Sequence, residues 1–242
     1  MRRFFDTLGF LTRLAPARVI PAEAMNQCMR YMVPVGALLG AAVALPFWLG
    51  LFGNAPWIQA WLMTALSVYL TRGLHLDGLA DVCDAVAAHT DPELFWRVVK
   101  DSRSGAFGVV GLILALGGEV VLLHEMVVRG DFDAVIWMFT LGRAGAVWLG
   151  YHVRHLVRPG LGKLYVDGAT LGVALATAIM ALAAGIYFVG PAAALAGIIL
   201  ASLILLGLFR LAMKVNGANG DFLGCAVILG ELAAGLGYVL IP

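Results

Sequence analysis

The sequence predicts an all-α fold, a polytopic integral membrane helical bundle of about seven transmembrane helices (six to eight) with a cytoplasmic N-terminus. Three observations predict it. First, 62% of the residues are hydrophobic and 13% charged, against roughly 45–50% and 25% in soluble domains; mean hydropathy is +0.92. Second, the apolar residues form blocks close to the roughly 20 residues that cross a bilayer as helix. Third, the basic residues divide unevenly between the connections, as the positive-inside rule requires.

Seven blocks can be marked, near 32–53, 57–75, 107–126, 132–151, 168–189, 191–212 and 222–241. Pro56, Gly130 and the Gly190-Pro191 pair punctuate three of the connections, since Gly and Pro favour turns over helix. The connection at Gly190-Pro191 is so short that the fifth and sixth blocks should form an antiparallel hairpin. Ahead of the first block, Phe4, Phe5, Leu8, Leu11 and Leu14 fall at helical spacing among Arg2, Arg3 and Arg13. That pattern suits a basic amphipathic helix on an anionic surface and equally a helix packed on the protein. Asp6 interrupts the apolar stretch, so no cleavable signal is expected.

With the N-terminus inside, every one of the 16 Lys and Arg except Arg129 and Arg143 falls on the inner side. The expected arrangement is one membrane domain over 1–242: a cytoplasmic N-terminal segment 1–31, a long cytoplasmic loop 76–106 and a short one 214–221. In a bacterium this is the cytoplasmic (inner) membrane, with the site on the cytoplasmic face. The net charge of +1 gives no field for nucleic acid. Cys28, Cys83 and Cys225 have neither zinc nor disulfide spacing. No Walker loop, dinucleotide fingerprint or Gly-x-Ser-x-Gly elbow occurs. A homo-oligomer is compatible with the sequence, which does not fix it.

Four constellations could hold chemistry. In the run from His75 to Asp84, Asp77, Asp81 and Asp84 stand at i, i+4 and i+7, within roughly 60° of one another on a helix. Like charges on one face repel, and a divalent cation such as Mg²⁺, which takes oxygen donors and also holds phosphates, relieves the repulsion. Next, Asp91-Pro92-Glu93 reads as N-cap, N1 and acidic first turn of a helix over about 92–103, followed by Lys100, Asp101, Ser102 and Arg103 near Gly105. Cations beside acids make a phosphate clamp. Third, Asn216-Gly-Ala-Asn219-Gly-Asp221 offers flexible backbone and a further carboxylate. Fourth, Arg143 lies inside a span, where a charge tends to face a polar cavity. Glu119 and Glu231 also lie in or near spans and read mainly as structural groups.

These residues resemble the cobalamin synthase (adenosylcobinamide-GDP ribazoletransferase) family. The resemblance rests on Gly73-Leu-His75-Leu-Asp77-Gly78-Leu-Ala-Asp81-Val-Cys-Asp84 and Lys100-Asp101-Ser102-Arg103-Ser-Gly105 with Gly108. It continues through Gly142-Arg143, Gly160-Leu-Gly162, Asn216-Gly217-Ala-Asn-Gly220-Asp221 and Gly230-Glu231, and Phe10-Leu-Thr-Arg13 also fits. It departs at Ala85, where the family usually has glycine. The resemblance implies a Mg²⁺-dependent membrane transferase late in cobalamin assembly. Such an enzyme joins α-ribazole or its 5′-phosphate to adenosylcobinamide-GDP and releases GMP. The expected site follows: Asp77, Asp81 and Asp84 as metal ligands, with these three or Asp101 catalytic. His75, Lys100, Ser102, Arg103, Arg143, Asn216 and Asp221 would bind substrate and phosphate. CDP-alcohol phosphotransferases are disfavoured because Leu79-Ala80-Asp81 breaks their pattern after Asp77-Gly78, and prenyltransferases because one aspartate-rich motif is present rather than two. A carrier would put its charges near mid-membrane, often in inverted repeats.

Overall fold

The computed structural model describes residues 2–88 and 91–241. It is helical throughout, with one isolated parallel bridge between Val157 and Ala218 as the β pairing among the described residues. The helices are α1 (Arg2–Leu11), α2 (Ala22–Met25), α3 (Met32–Trp48), α4 (Pro56–Thr71), α5 (Leu74–Ala88), α6 (Pro92–Val99), α7 (Ala106–Arg129), α8 (Phe132–Val153), α9 (Leu161–Val166), α10 (Leu171–Lys214) and α11 (Gly220–Leu240). A 3₁₀ segment, Asn26–Tyr31, joins α2 to α3.

Five helices or helix runs are long and apolar enough to cross a membrane, α10 with 44 residues among them. Gly190 breaks α10, with φ 80° and ψ 162° in its middle, a conformation only glycine adopts readily. The chain reverses there: a Cβ on Gly185 would lie 2.7 Å from Cβ of Ala194, nine residues on. The expected hairpin is therefore present, and α10 supplies two spanning limbs. With α4, whose 16 residues rise about 24 Å, this gives the seven expected spans.

α8 and α11 form the centre, with most of α8 from Ala134 to Val153 buried. Small residues permit their close crossing. A Cβ on Gly142 would stand 2.6 Å from the Val227 carbonyl, and one on Gly230 would stand 3.0 Å from Cα of Gly142. Because these glycines touch, the residues that follow them meet. Arg143 ion-pairs with Glu231, their side chains 1% and 2% exposed, and Glu119 of α7 lies against Glu231. Two carboxylates and one guanidinium buried together need one proton to be neutral.

The two ends of the bundle differ. At one, Tyr238 donates to Asp131, Arg129 Nη1 to the Ile241 carbonyl at 3.3 Å, and Arg129 sits over the Tyr238 ring. At the other, Arg158 N and Ala218 N exchange bonds with the opposing carbonyls of Ala218 and Leu156. Trp96 Nε1 donates to the Val215 carbonyl at 2.8 Å, under the Arg158 guanidinium. These contacts fasten α6 and the 154–160 turn to the 215–219 turn. The positive-rich connections thus share one end and the α7–α8 turn shares the other with the C-terminus, as the expected topology requires.

The N-terminal helix resolves one alternative. α1 buries Asp6, Thr7, Leu8, Gly9 and Leu11, and Phe4 meets Tyr31 edge-on, so it packs on the protein. A latch holds its end: Arg72 donates to the carbonyls of Gly9, Phe10 and Thr12 at 3.1–3.2 Å, and Arg13 donates to those of Tyr69 and Leu70. Arg72 ends α4 in the left-handed region, φ 57°, which closes α4 at Thr71 rather than at 75.

Candidate active site

α5 lies outside the seven spans, at the end of the bundle that holds the basic connections. Its first turns touch the start of α11. A Cβ on Gly78 would lie 2.8 Å from Cα of Asp221, and one on Gly224 would lie 3.1 Å from the His75 carbonyl. Glycine at both positions lets the helices meet backbone to backbone, which sets Asp221 among the α5 aspartates. Burial pushes the Asp81 carboxyl up to about 6, helped by Asp221, Asp77 and Asp84 in that order. Two connections far apart in sequence therefore build one acidic cluster.

Asp84 has a further task. Its carboxylate accepts the amide N–H of Gly105 at 2.6 Å and of Gly108 at 2.7 Å, capping the N-terminus of α7. Acceptors at a helix N-terminus satisfy orphan donors and meet the positive dipole end. A Cβ on Gly105 would come 2.5 Å from Asp84 Oδ1, and one on Gly108 would also overlap the carboxylate. Gly105 and Gly108 are thus explained by an aspartate over twenty residues upstream. Expected as a metal ligand, Asp84 directs both oxygens at backbone amides.

The 100–105 turn departs from expectation. Asp91 caps α6 by accepting from Leu94 N at 2.9 Å, as foreseen, but α6 stops at Val99 rather than near 103. Asp101 stops it by accepting from Arg103 N at 3.1 Å, a local bond that competes with helix. The same carboxylate takes Arg103 Nε and Nη2 at 3.0 and 2.7 Å. These bonds hold Asp101 near pKa 2, so it is a poor proton acceptor, and Arg103 enters the site already paired. Lys100 caps α6 and is exposed.

Three cavities surround the cluster. One of about 550 Å³ is lined by Arg72, Asp77 and Ser104 beside Phe10 and Leu112. A second, about 530 Å³, has Asp84, Asp101, Arg103 and Ser104. A third, about 260 Å³, has His75, Asp77 and Asp221 with Phe10, Tyr165 and Gly162. Asp77 and Phe10 belong to the first and third, and Ser104 to the first and second. Lys100, Ser102 and Asn216 are exposed and line none of the three; Asn216 instead takes the left-handed turn after α10, φ 50°. Arg143 is turned inward to Glu231 rather than into a cavity. His75 is 6% exposed, and burial, then Arg143, lower it to about 3. It is neutral at physiological pH and not a counter-charge for phosphate.

Sequence reading missed Arg72, Phe10, Tyr165 and, as a site residue, Asn219, whereas Ser104 was expected as a small donor beside Ser102 and Gly105. Asn219 Nδ2 donates to Asp221 Oδ2 at 2.5 Å and so orients that carboxylate. Arg72 stood beside the Gly73-Leu-His75 run, but nothing local marks it as a latch. Gly162 also gains a reason: its Cβ would stand 2.5 Å from Gly220 N, so α9 abuts the start of α11.

Among the described residues, no three carboxylate, imidazole or thiol groups stand close enough to make a ready metal cage. Mg²⁺ is commonly held by one or two carboxylates together with substrate phosphates. The donor set fits such binding: all oxygen, with the charges acting on Asp81 coming from carboxylates alone.

Fold and site together define a polytopic membrane protein with an acidic, cavity-lined site at one end of its bundle. The cobalamin-5-phosphate synthase family matches residues 3–239, and the chain belongs to that family. It is 43% identical to the adenosylcobinamide-GDP ribazoletransferase of Nitratidesulfovibrio vulgaris strain Miyazaki F, covering 96% of this chain and 92% of the relative. The enzymes of that name from Klebsiella pneumoniae strain 342 and Clostridium botulinum strain Kyoto are 34% and 30% identical; they cover 96% and 95% of this chain and are themselves covered over 97% and 94%. No solved structure matches.

Proposed function

We propose that the chain is an adenosylcobinamide-GDP ribazoletransferase whose acidic site faces the cytoplasm. A ribose hydroxyl of α-ribazole, or of its 5′-phosphate, attacks the cobinamide-linked phosphorus of adenosylcobinamide-GDP. The new O–P bond forms as the P–O bond to GMP breaks, and the hydroxyl proton is taken up by a carboxylate. The observation that supports this reading most is the convergence of Asp77, Asp81 and Asp221 from separate connections beside cavities that also contain Arg72 and Ser104.

Displacement at phosphorus depends on positioning and on neutralising charge. Asp77, Asp81 and Asp221 are the residues that would hold Mg²⁺, which when bound supplies Lewis-acid neutralisation of diphosphate oxygens. Asn219 fixes the Asp221 carboxylate, and Asp84 fixes the 105–108 backbone that walls the site. A carboxylate of this cluster that the metal leaves free would accept the hydroxyl proton. Arg72 supplies a cation to the larger cavity.

The test is GMP release from purified protein in nanodiscs, given both substrates with Mg²⁺ or with EDTA. Cobalamin product and GMP should appear together and only with metal. Asp77→Asn and Asp81→Asn should each lower the rate at least about 100-fold, the scale of losing one preorganised charge contact, at normal membrane expression. Near-normal turnover in both variants would overturn the proposal.

A further inference from the structure

The cavity of about 260 Å³ between α1, α5, α9 and α11 is built differently from its neighbours. Its walls are mainly apolar: Phe10, Met32, Leu223 and Val227, closed by the Tyr165 ring. Phe10 and Tyr165 stack with centroids 5.3 Å apart and planes 25° from parallel, giving the cavity an aromatic side. His75 stands in this lining, 6% exposed, and its Nδ1 has no hydrogen-bond partner among the described residues. Buried polar side-chain atoms nearly always have a partner, and an orphan calls for an explanation. Asp77 and Asp221 line the same cavity, so it borders the reacting centre.

We propose that this cavity is the base pocket for the incoming nucleoside, with His75 as its hydrogen-bonding residue; the inference rests on the transfer reaction given above. Size restricts the occupant. Pockets for drug-sized ligands run about 300–1,000 Å³, so this one takes a fused bicyclic ring and excludes a corrinoid. Chemistry restricts it further. The substrates bring two planar bases, guanine and the benzimidazole-type base of ribazole. Guanine has a carbonyl, an amide N–H and an amino group along its edge, each of which loses water at a cost if left unpaired in an apolar site. The benzimidazole offers one unsubstituted ring nitrogen, an acceptor. A neutral imidazole has one N–H to donate, which matches it. With the base seated between Tyr165, Phe10 and Val227, the ribose lies towards Asp77 and Asp221. GDP-linked cobinamide is left the larger cavity, where Arg72 and Ser104 are found.

Two measurements on full-length protein in nanodiscs test this: equilibrium binding of α-ribazole without turnover, and KM for each substrate. His75→Leu should weaken α-ribazole binding and raise its KM about tenfold, the scale of one lost hydrogen bond, while KM for adenosylcobinamide-GDP changes less than about twofold. His75→Gln, which keeps an N–H, should recover most of the loss. Val227→Phe, which fills the cavity from α11 and leaves the His75 side chain in place, should produce the same split. Unchanged α-ribazole binding in both His75→Leu and Val227→Phe overturns the pocket, as does an equal rise in both KM values. If wild-type protein binds α-ribazole, loses it on His75→Leu, and yet releases no GMP, the pocket stands and the reaction falls. GMP release with KM values indifferent to all three variants has the opposite meaning.

Discussion

At Asp81, partial burial and three neighbouring carboxylates lift the carboxyl from the ordinary 3.8 to about 6. The folded state therefore binds this proton more tightly than the unfolded chain does. The resulting stability is full below about pH 4 and is lost as pH rises through 6, so the cluster strains the metal-free fold at neutral pH. In detergent without Mg²⁺, Asp81→Asn should melt higher than wild type at pH 7 and alongside it near pH 4. Millimolar Mg²⁺ should raise the wild-type melting temperature more at pH 7 than at pH 5, because protons compete for the same oxygens. An equal Mg²⁺ response in Asp81→Asn would exclude this residue from the metal site. Arg143 presents the opposite case, a charge paired with Glu231 inside the bundle. Arg143→Met leaves Glu231 buried without its counter-ion and should cost about 3–5 kcal/mol in denaturant unfolding, and replacing both residues by Met should cost much less. The three aspartates and Arg143 stand out in the sequence because ionisable residues are sparse in so apolar a chain. That Asp84 serves amides and Arg143 serves Glu231 is invisible there, since both partners are remote in sequence.

At the scale of elements, glycines decide how the site is assembled. Helix α5 reaches α11 only because Gly78 and Gly224 have no Cβ, and α7 begins against α5 only because Gly105 and Gly108 make room for Asp84. Gly108→Ala should overpack that contact, at a cost of about 1–3 kcal/mol in thermal unfolding. It should also lower GMP release more than a stability loss of that size explains, because Asp84 and the 105–108 backbone move together. A variant as active as wild type would show that α7 can shift without consequence. The spans themselves were legible from composition, and the Gly190 hairpin from its Gly-Pro pair. The end of α6 was not, because a single side-chain bond from Asp101 to the next turn outweighed helix propensity over 100–103. The fate of α1 was also open: its amphipathic spacing fits a lipid surface and a protein groove alike, and the Arg72 latch selects the groove.

Over the whole molecule, the two ends of the bundle bear different chemistry, and the proposed orientation can be checked directly. Cys28 and Cys225 are buried and Cys83 is half-buried, so a Cys83→Ser background should react little with a membrane-impermeant maleimide. In intact cells Asp133→Cys, beside the α7–α8 turn, should be labelled, and Glu93→Cys on α6 should be labelled only after permeabilisation. The reverse pattern would invert the topology and put the acidic site outside. The sequence by itself determined the fold class, the spans and the family, because each depends on local quantities: hydropathy over one span and short runs of residues. Only the tertiary structure decided which groups share the site. Asp77 and Asp221 lie on elements separated by more than a hundred residues and four spans, and they meet through the close approach of α5 to α11. That approach is set by side-chain volume at glycines and by the packing of α8 against α11, quantities that no single segment contains.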